Sequence, residues 1–482
     1  MPAPIPAAAD RYRRRLGASI AGATVALLLV CVQAGEAPAG PGISDASNVA
    51  VPPASSAGST PSDRWYAPLK NIEAGPGALD IGVDLRTRYE YLDEFTVLGY
   101  GTGAGDDVLL FRARLSFDYR LSDSAHALVE FQDARYWLNR LSRSDFGRTC
   151  TYYDEADLRQ AYFEWKRIGA SPLGVKLGRQ IFLYGDRRLF APAEWGNVGN
   201  YWWDAAKFYC DTDIVRVDAF YARRVLSEPE DWNFDHWPYH AGGIYARVQQ
   251  LPVTLDAFYV VKHDWSGHIR GERGTGDEQR HSFGVFSERP AGQGGDYGLF
   301  AVGQLGKYGR DDIRAFGIAA RGGYTFDAEM TPRIGLELNY ASGDRDPDDG
   351  VAGSFDGVFG AMDLPYGWMN VVSWKNLEDG ALNVSVKPAA PLTLGLEYHY
   401  FRLARSRDAW YWASGKPERR DRTGDAGRDL GHELDVIGRW QVNRELEVLA
   451  GYARFFAGRF VRDTPGGRAN ADWVFLQVTY LF

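Results

Sequence analysis

The feature that most constrains this chain is a period-two alternation of apolar and polar residues. Between Leu79 and Tyr91, the odd-numbered positions carry mostly apolar or aromatic side chains, whereas the even-numbered positions carry Asp, Gly, Arg and Glu. Successive side chains of a β-strand point to opposite faces, so this segment is predicted to be a strand with one apolar and one polar face. One such strand would also suit a soluble sheet, and repetition at membrane-spanning length separates the two cases.

The alternation recurs in eighteen segments. They start close to Leu79, Val108, His126, Asp157, Gly174, Asp204, Asp213, His240, Val253, Gln279, Tyr297, Ile313, Arg333, Ala381, Leu392, Gly431, Leu446 and Trp473. Several apolar faces end in Tyr or Trp, as the aromatic girdle of a membrane barrel does. An even number of such segments predicts an all-β fold, a single transmembrane antiparallel β-barrel of 18 strands.

The connections between segments alternate in length. Tight connections are predicted at 121–125, 210–212, 250–252, 327–332, 388–391 and 441–445. Long polar connections are predicted at 92–107, 137–156, 185–203, 225–239, 264–278, 343–380 and 404–430. Short periplasmic turns and long outer loops are typical of outer-membrane barrels. The connection 309–312 is short where the alternation predicts an outer loop.

Composition agrees with a barrel and excludes other classes. A mean hydropathy of −0.34 excludes a bundle of membrane-spanning helices, whereas in a barrel the lumen residues offset the lipid-facing ones. Aromatic residues make up 14% of the 482-residue chain, too many for a disordered protein. Three cysteines are too few for a disulfide scaffold.

The N-terminus has the features of a secretory signal. Arg11 and Arg13–Arg15 precede an uncharged stretch that runs to Val32, and Val32-Gln33-Ala34 resembles a cleavage site. We therefore predict a signal peptide at 1–34, a flexible Ala/Pro/Gly/Ser-rich leader at 35–78 and the barrel at 79–482. A retained membrane anchor and lipidation at Cys31 are the alternatives. Cleavage would change the formal charge from −9 to −12, which argues against nucleic-acid binding.

The C-terminal segment alternates up to the last residue. Val474, Leu476, Val478 and Tyr480 share a face with the terminal Phe482. A strand that ends in an aromatic residue resembles the signal by which outer-membrane barrels are recognised for assembly. Together with the signal peptide, it predicts the bacterial outer membrane as the location.

The polar faces of the strands would line the lumen. Arg86, Arg88, Arg112 and Arg114 lie on neighbouring segments and are predicted to form a basic wall, and Arg216, Arg321 and Arg439 also have inward parity. Acidic residues share these faces, among them Asp84, Glu130, Glu337 and Asp435. Such a lumen would attract anions and orient them along its field. The alternative is a ladder of ion pairs that only braces the wall.

Signatures of an enzyme or a bound metal are weak. His281 and Ser282 are adjacent, so their side chains point to opposite faces and cannot form a Ser–His pair. The eight histidines show no metal-binding spacing, and no cofactor is predicted. Asp344, Asp346 and Asp348 form a weak candidate cation site, with a solvated outer loop and an inward-folding lid as alternatives.

Several short motifs occur in a characteristic order. They are LRQAYFEW at 158–165, LGRQ at 177–180, YGDRRL at 184–189, WGNVG at 195–199, YASGD at 340–344, LNVSVKP at 382–388, EYHYF at 397–401, GHELD at 431–435 and GYARFFAG at 451–458. In this order and spacing, the chain from about Leu79 to Phe482 resembles the alginate-export family of outer-membrane porins. The resemblance implies an eighteen-stranded barrel whose electropositive constriction passes an anionic polyuronate outward.

By motif position, Arg159 and Arg179 resemble the lumen arginines of that family. Arg159 shares its parity with Phe163 and Trp165. An inward Arg159 therefore requires a β-bulge in this strand.

Two functional hypotheses follow, and both exclude catalysis. The first is passive export of an anionic, alginate-like exopolysaccharide through a basic lumen, with outer-membrane lipid, the polymer and periplasmic export components as partners. The alternative is an anion-preferring uptake porin for small solutes. A third hypothesis, from a different functional class, is an outer-membrane hydrolase. A continuous basic track would favour export, and a narrower eyelet of mixed charge would favour uptake.

The mature chain would retain two cysteines. Cys150 lies in a predicted outer loop and Cys210 in a predicted periplasmic turn. The apolar band of a barrel is about 25 Å tall, and a disulfide needs Cα atoms within about 7 Å. Both are predicted to be free thiols at opposite ends of the barrel, with Cys150 reachable by an impermeant reagent if its loop is open.

Overall fold

The fold is a closed antiparallel barrel of 18 strands. The structure, a computed structural model, describes residues 64–360 and 365–482, with only the backbone of 235–237. The strands are β1 Gly77–Thr96, β2 Gly99–Ser122, β3 Ala125–Trp137, β4 Asp154–Trp165, β5 Leu173–Ile181, β6 Trp202–Asp211, β7 Val215–Leu226, β8 Phe234–Val248, β9 Thr254–Arg270, β10 Thr275–Arg289, β11 Gly294–Tyr308, β12 Asp311–Thr325, β13 Arg333–Ala341, β14 Leu377–Ala389, β15 Leu392–Leu403, β16 Asp429–Gln441, β17 Leu446–Ala457 and β18 Ala471–Leu481. The predicted signal peptide lies outside the described residues.

Each strand pairs with its neighbours in chain order, and the first and last strands close the sheet. Asp84–Asp93 of β1 pair with Asp472–Leu481 of β18. Closure leaves no open sheet edge, which a barrel in lipid requires because every backbone polar group needs a partner there. The predicted fold class and strand number are confirmed.

Two of the predicted long loops are wrong. β1 continues to Thr96 and β2 starts at Gly99, so most of 92–107 is strand. Similarly, β9 extends to Arg270 and β10 starts at Thr275, so 264–278 is an extended hairpin. Beyond the bilayer both faces of a strand meet water, so the apolar alternation disappears while the backbone ladder continues. The same extension explains the short 309–312 connection, where Asp312 and Ile313 also pair with the outer segment Val351–Ala352.

The exposed apolar side chains follow the predicted lipid-facing parity. Leu115, Phe283 and Leu336 are 40%, 48% and 53% exposed to the surroundings of the barrel. Neighbouring positions, such as Arg114 and Ser282, are buried inside the barrel. The alternation therefore identified which face of each strand meets lipid.

Two outer connections fold into the lumen. The first inner loop, residues 182–201, joins β5 to β6, and the second inner loop, of which 353–360 and 365–376 are described, lies between the outer segment Val351–Ala352 and β14. Buried aromatic side chains of both loops form a core with the wall, among them Phe190, Trp195, Phe359 and Trp374. The loops are hydrogen-bonded to each other, because Ala191 N donates to Phe359 O at 3.0 Å and Phe359 N donates to Leu189 O at 3.1 Å.

The end of the predicted flexible leader packs against the barrel. Tyr66 is buried, stacks on Phe482 with ring centroids 4.8 Å apart, and donates a hydrogen bond of 2.6 Å to Glu445. A short strand, Ile72–Ala74, pairs with the start of β1. The terminal aromatic residue is thus covered by the segment that precedes the barrel.

The remaining elements of the described residues are short. They are α1 Arg143–Phe146, α2 Arg459–Asp463, two 3-10 turns at Ala67–Leu69 and Ile168–Ala170, and a small hairpin of Ala409–Tyr411 with Pro417–Arg420. In the part of the chain that the structure describes, no helix has the length and apolar character needed to span a bilayer.

Both described cysteines are free thiols, as predicted. Cys150 lies in the β3–β4 connection and is only 2% exposed. An impermeant thiol reagent therefore does not reach it in this conformation. Burial also raises the pKa of the Cys150 thiol, which lowers its thiolate fraction and hence its reactivity.

Candidate functional site in the barrel lumen

Four of the predicted arginines meet on one patch of the lumen wall. Arg86 of β1 lies directly opposite Arg112 of β2. Arg88 follows Arg86 by two residues on β1, and Arg114 follows Arg112 by two residues on β2, so the two lie on either side of this pair on the same face. All four side chains are buried inside the barrel. The period-two alternation of two paired strands accounts for this arrangement.

A β-bulge turns Arg159 towards the same patch. Gln160 pairs with Glu130 and Leu158 pairs with Phe131, so Arg159 is the extra residue between the two pairs. A bulge changes the direction of the side chain it carries. As a result, Arg159 is only 1% exposed and forms ion pairs with Glu130 and Glu194 inside the barrel.

Glu194 of the first inner loop lies at the centre of these arginines. One carboxylate oxygen accepts from Arg114 at 2.6 Å and from Arg112 at 3.2 Å, and the other accepts from Arg159. Burial acts to raise the pKa of Glu194, but the charges of Arg114, Arg159 and Arg112 outweigh it and lower that pKa well below its usual range. Glu194 is therefore a carboxylate at any physiological pH.

The backbone of the first inner loop binds the remaining arginines. Arg86 donates to the carbonyls of Glu194 and Gly196, each at 2.8 Å. Arg88 donates to the carbonyl of Trp195 at 2.8 Å and lies over its indole, 4.1 Å from the ring centroid. We call Arg86, Arg88, Arg112, Arg114, Arg159 and Glu194 the arginine site.

The arginine site has more positive charge and more donors than its partners use. Its five guanidinium groups contact four carboxylates, those of Asp84, Glu90, Glu130 and Glu194. Three donors, the Nε–H groups of Arg86, Arg112 and Arg159, and one acceptor, Oδ1 of Asp84, are buried and have no hydrogen-bond partner among the described residues. Buried donors normally have partners, so this site has capacity for a further acceptor.

The other four predicted arginines lie elsewhere on the wall, each paired with acidic residues. Arg179 contacts Asp204 at 2.9 Å, and Arg439 contacts Glu447 at 2.9 Å. Arg216 contacts Asp218 at 2.9 Å and Asp211 at 3.0 Å. Arg321 contacts Glu288, and Asp186 at 3.5 Å. These ion pairs fit the alternative role of bracing the barrel wall. The lumen therefore carries side chains of both positive and negative charge.

Sequence reasoning missed Glu194 and the role of Arg188. Arg188 of the first inner loop contacts Asp186 at 2.7 Å, Asn339 at 2.8 Å and Tyr366 of the second inner loop at 3.1 Å. Both residues lie in a loop, where no periodicity indicates which way a side chain points. The neighbouring motifs YGDRRL and WGNVG marked the segment but not its position inside the barrel.

The candidate cation site is assembled differently from the prediction. Ligand atoms of Asp344, Glu272 and Asp349 lie within 4.8 Å of one another, and Asp346 and Asp348 do not belong to this group. Burial and the neighbouring Glu272 raise the pKa of Asp344 to about 8. The folded loop therefore retains a proton between these two carboxyl groups near neutral pH.

This retained proton predicts a pH-dependent loop. The pKa of Asp344 rises from 3.8 to about 8 on folding, so the folded loop loses stability as the pH increases through this window and the carboxylates begin to repel. We expect the amide-exchange protection of 342–353, that is the exchange rate relative to the intrinsic rate at the same pH, to fall between about pH 4 and pH 8 in the wild type and to change much less in Asp344→Asn. The control is Asp346→Asn in the exposed part of the loop. An equal pH response in all three proteins would contradict the assignment.

His281 and Ser282 point to opposite sides of the wall, as predicted. Ser282 is fully buried inside, whereas His281 contacts Tyr259 on the exposed outer face at 2.6 Å. The hydrogen bond needed by a Ser–His pair is therefore geometrically impossible between them.

A closed eighteen-stranded barrel with a charged lumen and inward-folded loops defines an outer-membrane porin. The chain belongs to the alginate export family, whose sequence profile matches residues 78–475. It is therefore a bacterial outer-membrane channel protein.

Solved porins share the fold at low sequence identity. OpdL of Pseudomonas aeruginosa aligns with a TM-score of 0.54 at 13% identity, over 84% of this chain and 98% of that one. OpdK of the same organism, solved with vanillate, gives 0.54 at 12% identity over 84% and 98%. OccAB4 of Acinetobacter baumannii gives 0.52 at 10% identity over 84% and 98%. No curated protein sequence matches this chain significantly.

Proposed function

We propose that this protein passively exports an anionic, alginate-like exopolysaccharide and that the arginine site recognises the polymer's carboxylates. The observation that carries the proposal is the binding of one carboxylate, that of Glu194, by three arginines inside the lumen. A polyuronate has a carboxylate on every sugar, so it presents the same chemical group. Guanidinium groups bind carboxylates through paired, charge-assisted hydrogen bonds.

Export requires the first inner loop to move. Arg86, Arg88 and Arg112 are each no more than 2% exposed, because Glu194 and the adjacent carbonyls cover them. When the loop withdraws, the carboxylates of the polymer would replace Glu194. The backbone hydrogen bonds between residues 189–191 and Phe359 couple this movement to the second inner loop.

Uptake of small carboxylates is the second candidate. It is favoured by the distribution of charge, since the arginine site is localised and the other lumen arginines form pairs of mixed sign. OpdK, which has the same fold, was solved with vanillate, a small carboxylate. A single anion-binding constriction would suit a small solute as well as a polymer.

Reversal potentials in planar bilayers test the anion pathway. We expect the wild type to prefer anions, and we expect Arg112→Glu combined with Arg114→Glu to reduce or reverse this preference. Cation preference in the wild type would overturn both candidates.

Blockage by solutes distinguishes the two candidates. Export predicts that uronate oligomers added on the periplasmic side interrupt the current, and that neutral oligomers of equal length do not. Uptake predicts interruption by small carboxylates such as benzoate, without sensitivity to oligomers. Sensitivity to small carboxylates alone would overturn the export proposal.

A further inference from the structure

A second cluster of buried charged side chains lies on the lumen face of β14, β15 and β16, and it contains no arginine. His399 is opposite Glu433 and Glu397 is opposite Asp435 across the β15–β16 pair. Asp379 of β14 completes the cluster. Asp379, His399, Glu433 and Asp435 are all buried, with Glu433 and Asp435 fully enclosed.

Three of these residues converge on one point. A ligand atom of Glu397, one of His399 and one of Asp435 lie within 4.8 Å of one another. Two ligand atoms bonded to one metal ion at about 2.0–2.2 Å can lie at most about 4.4 Å apart, and His399 Nε2 and Glu397 Oε2, which are 3.9 Å apart, meet this limit.

The imidazole of His399 is oriented for metal binding. Its Nδ1 lies 3.1 Å from Asp379 Oδ1, and Asp379 also accepts from Asn339 Nδ2 at 2.9 Å. With Nδ1–H donating to Asp379, the free lone pair is on Nε2, which lies 3.9 Å from Glu397 Oε2. A carboxylate that holds a histidine in this tautomer is the usual outer contact of a metal-bound histidine.

The cluster lacks the donors that buried carboxylates require. Both oxygens of Asp435 and Oε2 of Glu433 are buried and receive no N–H or hydroxyl hydrogen bond among the described residues, so the contact between these two carboxyl groups requires a proton or a cation. The other oxygen of Glu433 accepts from Met369 N of the second inner loop at 2.8 Å. In the described part of the chain, neither Glu433 nor Asp435 has a salt bridge to a basic side chain. Buried charges are normally paired or bound to a metal.

We propose that Glu397, His399 and Asp435 bind a divalent transition-metal ion of the Zn²⁺ class. One imidazole with two carboxylates is a set that Zn²⁺ uses, whereas Ca²⁺ takes six to eight oxygen ligands. Asp379 is a positioning residue that orients His399. The positive charge of the ion would also balance Glu433, whose contact with Met369 joins the wall to the second inner loop.

Metal binding can be measured directly on the full-length untagged protein in detergent. After equilibrium dialysis against Zn²⁺ and mass spectrometry of the metal content, we expect one more bound ion per chain in the wild type than in His399→Gln. The matched control is His126→Gln, because His126 is also a lumen histidine beside a carboxylate, that of Glu164 at 3.6 Å, but belongs to none of the groups of converging ligand atoms among the described residues. This control should retain the wild-type content.

The variant Asp379→Asn distinguishes an effect on the orientation of His399 from an effect on protein stability. We expect it to weaken Zn²⁺ affinity by roughly 10–100-fold and to leave the metal-free melting temperature close to that of the wild type. Equal affinity in Asp379→Asn and the wild type would contradict the positioning role.

A second measurement does not depend on any variant. Crystals of the wild type grown with Zn²⁺ should show an anomalous peak among Glu397, His399 and Asp435. Absence of that peak, or equal zinc content in the wild type and His399→Gln, would overturn the proposal and indicate that protons neutralise the cluster. Neither result depends on conduction, so a failure here leaves the proposed channel function standing.

Discussion

Replacing Glu194 by Gln is expected to produce a several-fold increase in anion conductance through a reconstituted channel. The carboxylate is the one partner shared by Arg112, Arg114 and Arg159, so its removal leaves three buried guanidinium groups undercompensated. Breaking a buried ion pair costs about 3–5 kcal/mol, and each 1.4 kcal/mol changes an equilibrium about tenfold. The conformational equilibrium of the first inner loop should therefore shift strongly towards conformations in which the loop no longer contacts the arginines.

Single-channel recording measures this change, and Glu447→Gln is the matched control. Glu447 accepts from Arg439 at 2.9 Å on the wall, away from the inner loops, so the same loss of charge should leave conductance near the wild-type value. Identical conductance in Glu194→Gln and the wild type would mean that this carboxylate does not hold the loop in place.

Replacing Leu115 by Arg is expected to destabilise the barrel by about 2–4 kcal/mol. Leu115 is 40% exposed on the outer face of β2, where it pairs with Val83 and Phe131. An arginine there would place its charge in the hydrocarbon region of the bilayer. Folding equilibria in lipid vesicles at graded denaturant concentrations measure the loss.

Ser116→Arg is the control for the same strand at the next position. Ser116 faces the lumen opposite Glu130, so a new guanidinium group would find a carboxylate and water. We expect it to cost much less than Leu115→Arg. Equal costs would mean that the lipid-facing and lumen-facing sides of β2 have been exchanged.

Much of the fold could be predicted because the bilayer imposes a simple rule on each strand. Lipid accepts apolar side chains and the lumen accepts polar ones, so parity alone placed Leu115 outside and Arg112 and Arg114 inside. The outer parts of β1 and β2 could not be predicted, because water surrounds both faces there and the alternation stops. The strand pairing beyond the bilayer is visible only in the backbone ladder between Asp93 and Gly105.

The sequence by itself determined the barrel, the orientation of its strands and the basic patch formed by β1 and β2, since these depend on side-chain alternation and on pairing between neighbours in the chain. Only the tertiary structure decided what the arginines contact. Glu194 reaches Arg114 across 80 residues of sequence, on a loop without periodicity, and Arg159 turns inward only because a bulge interrupts its strand. These contacts depend on how the inner loops fill the lumen, a packing result that no local pattern encodes.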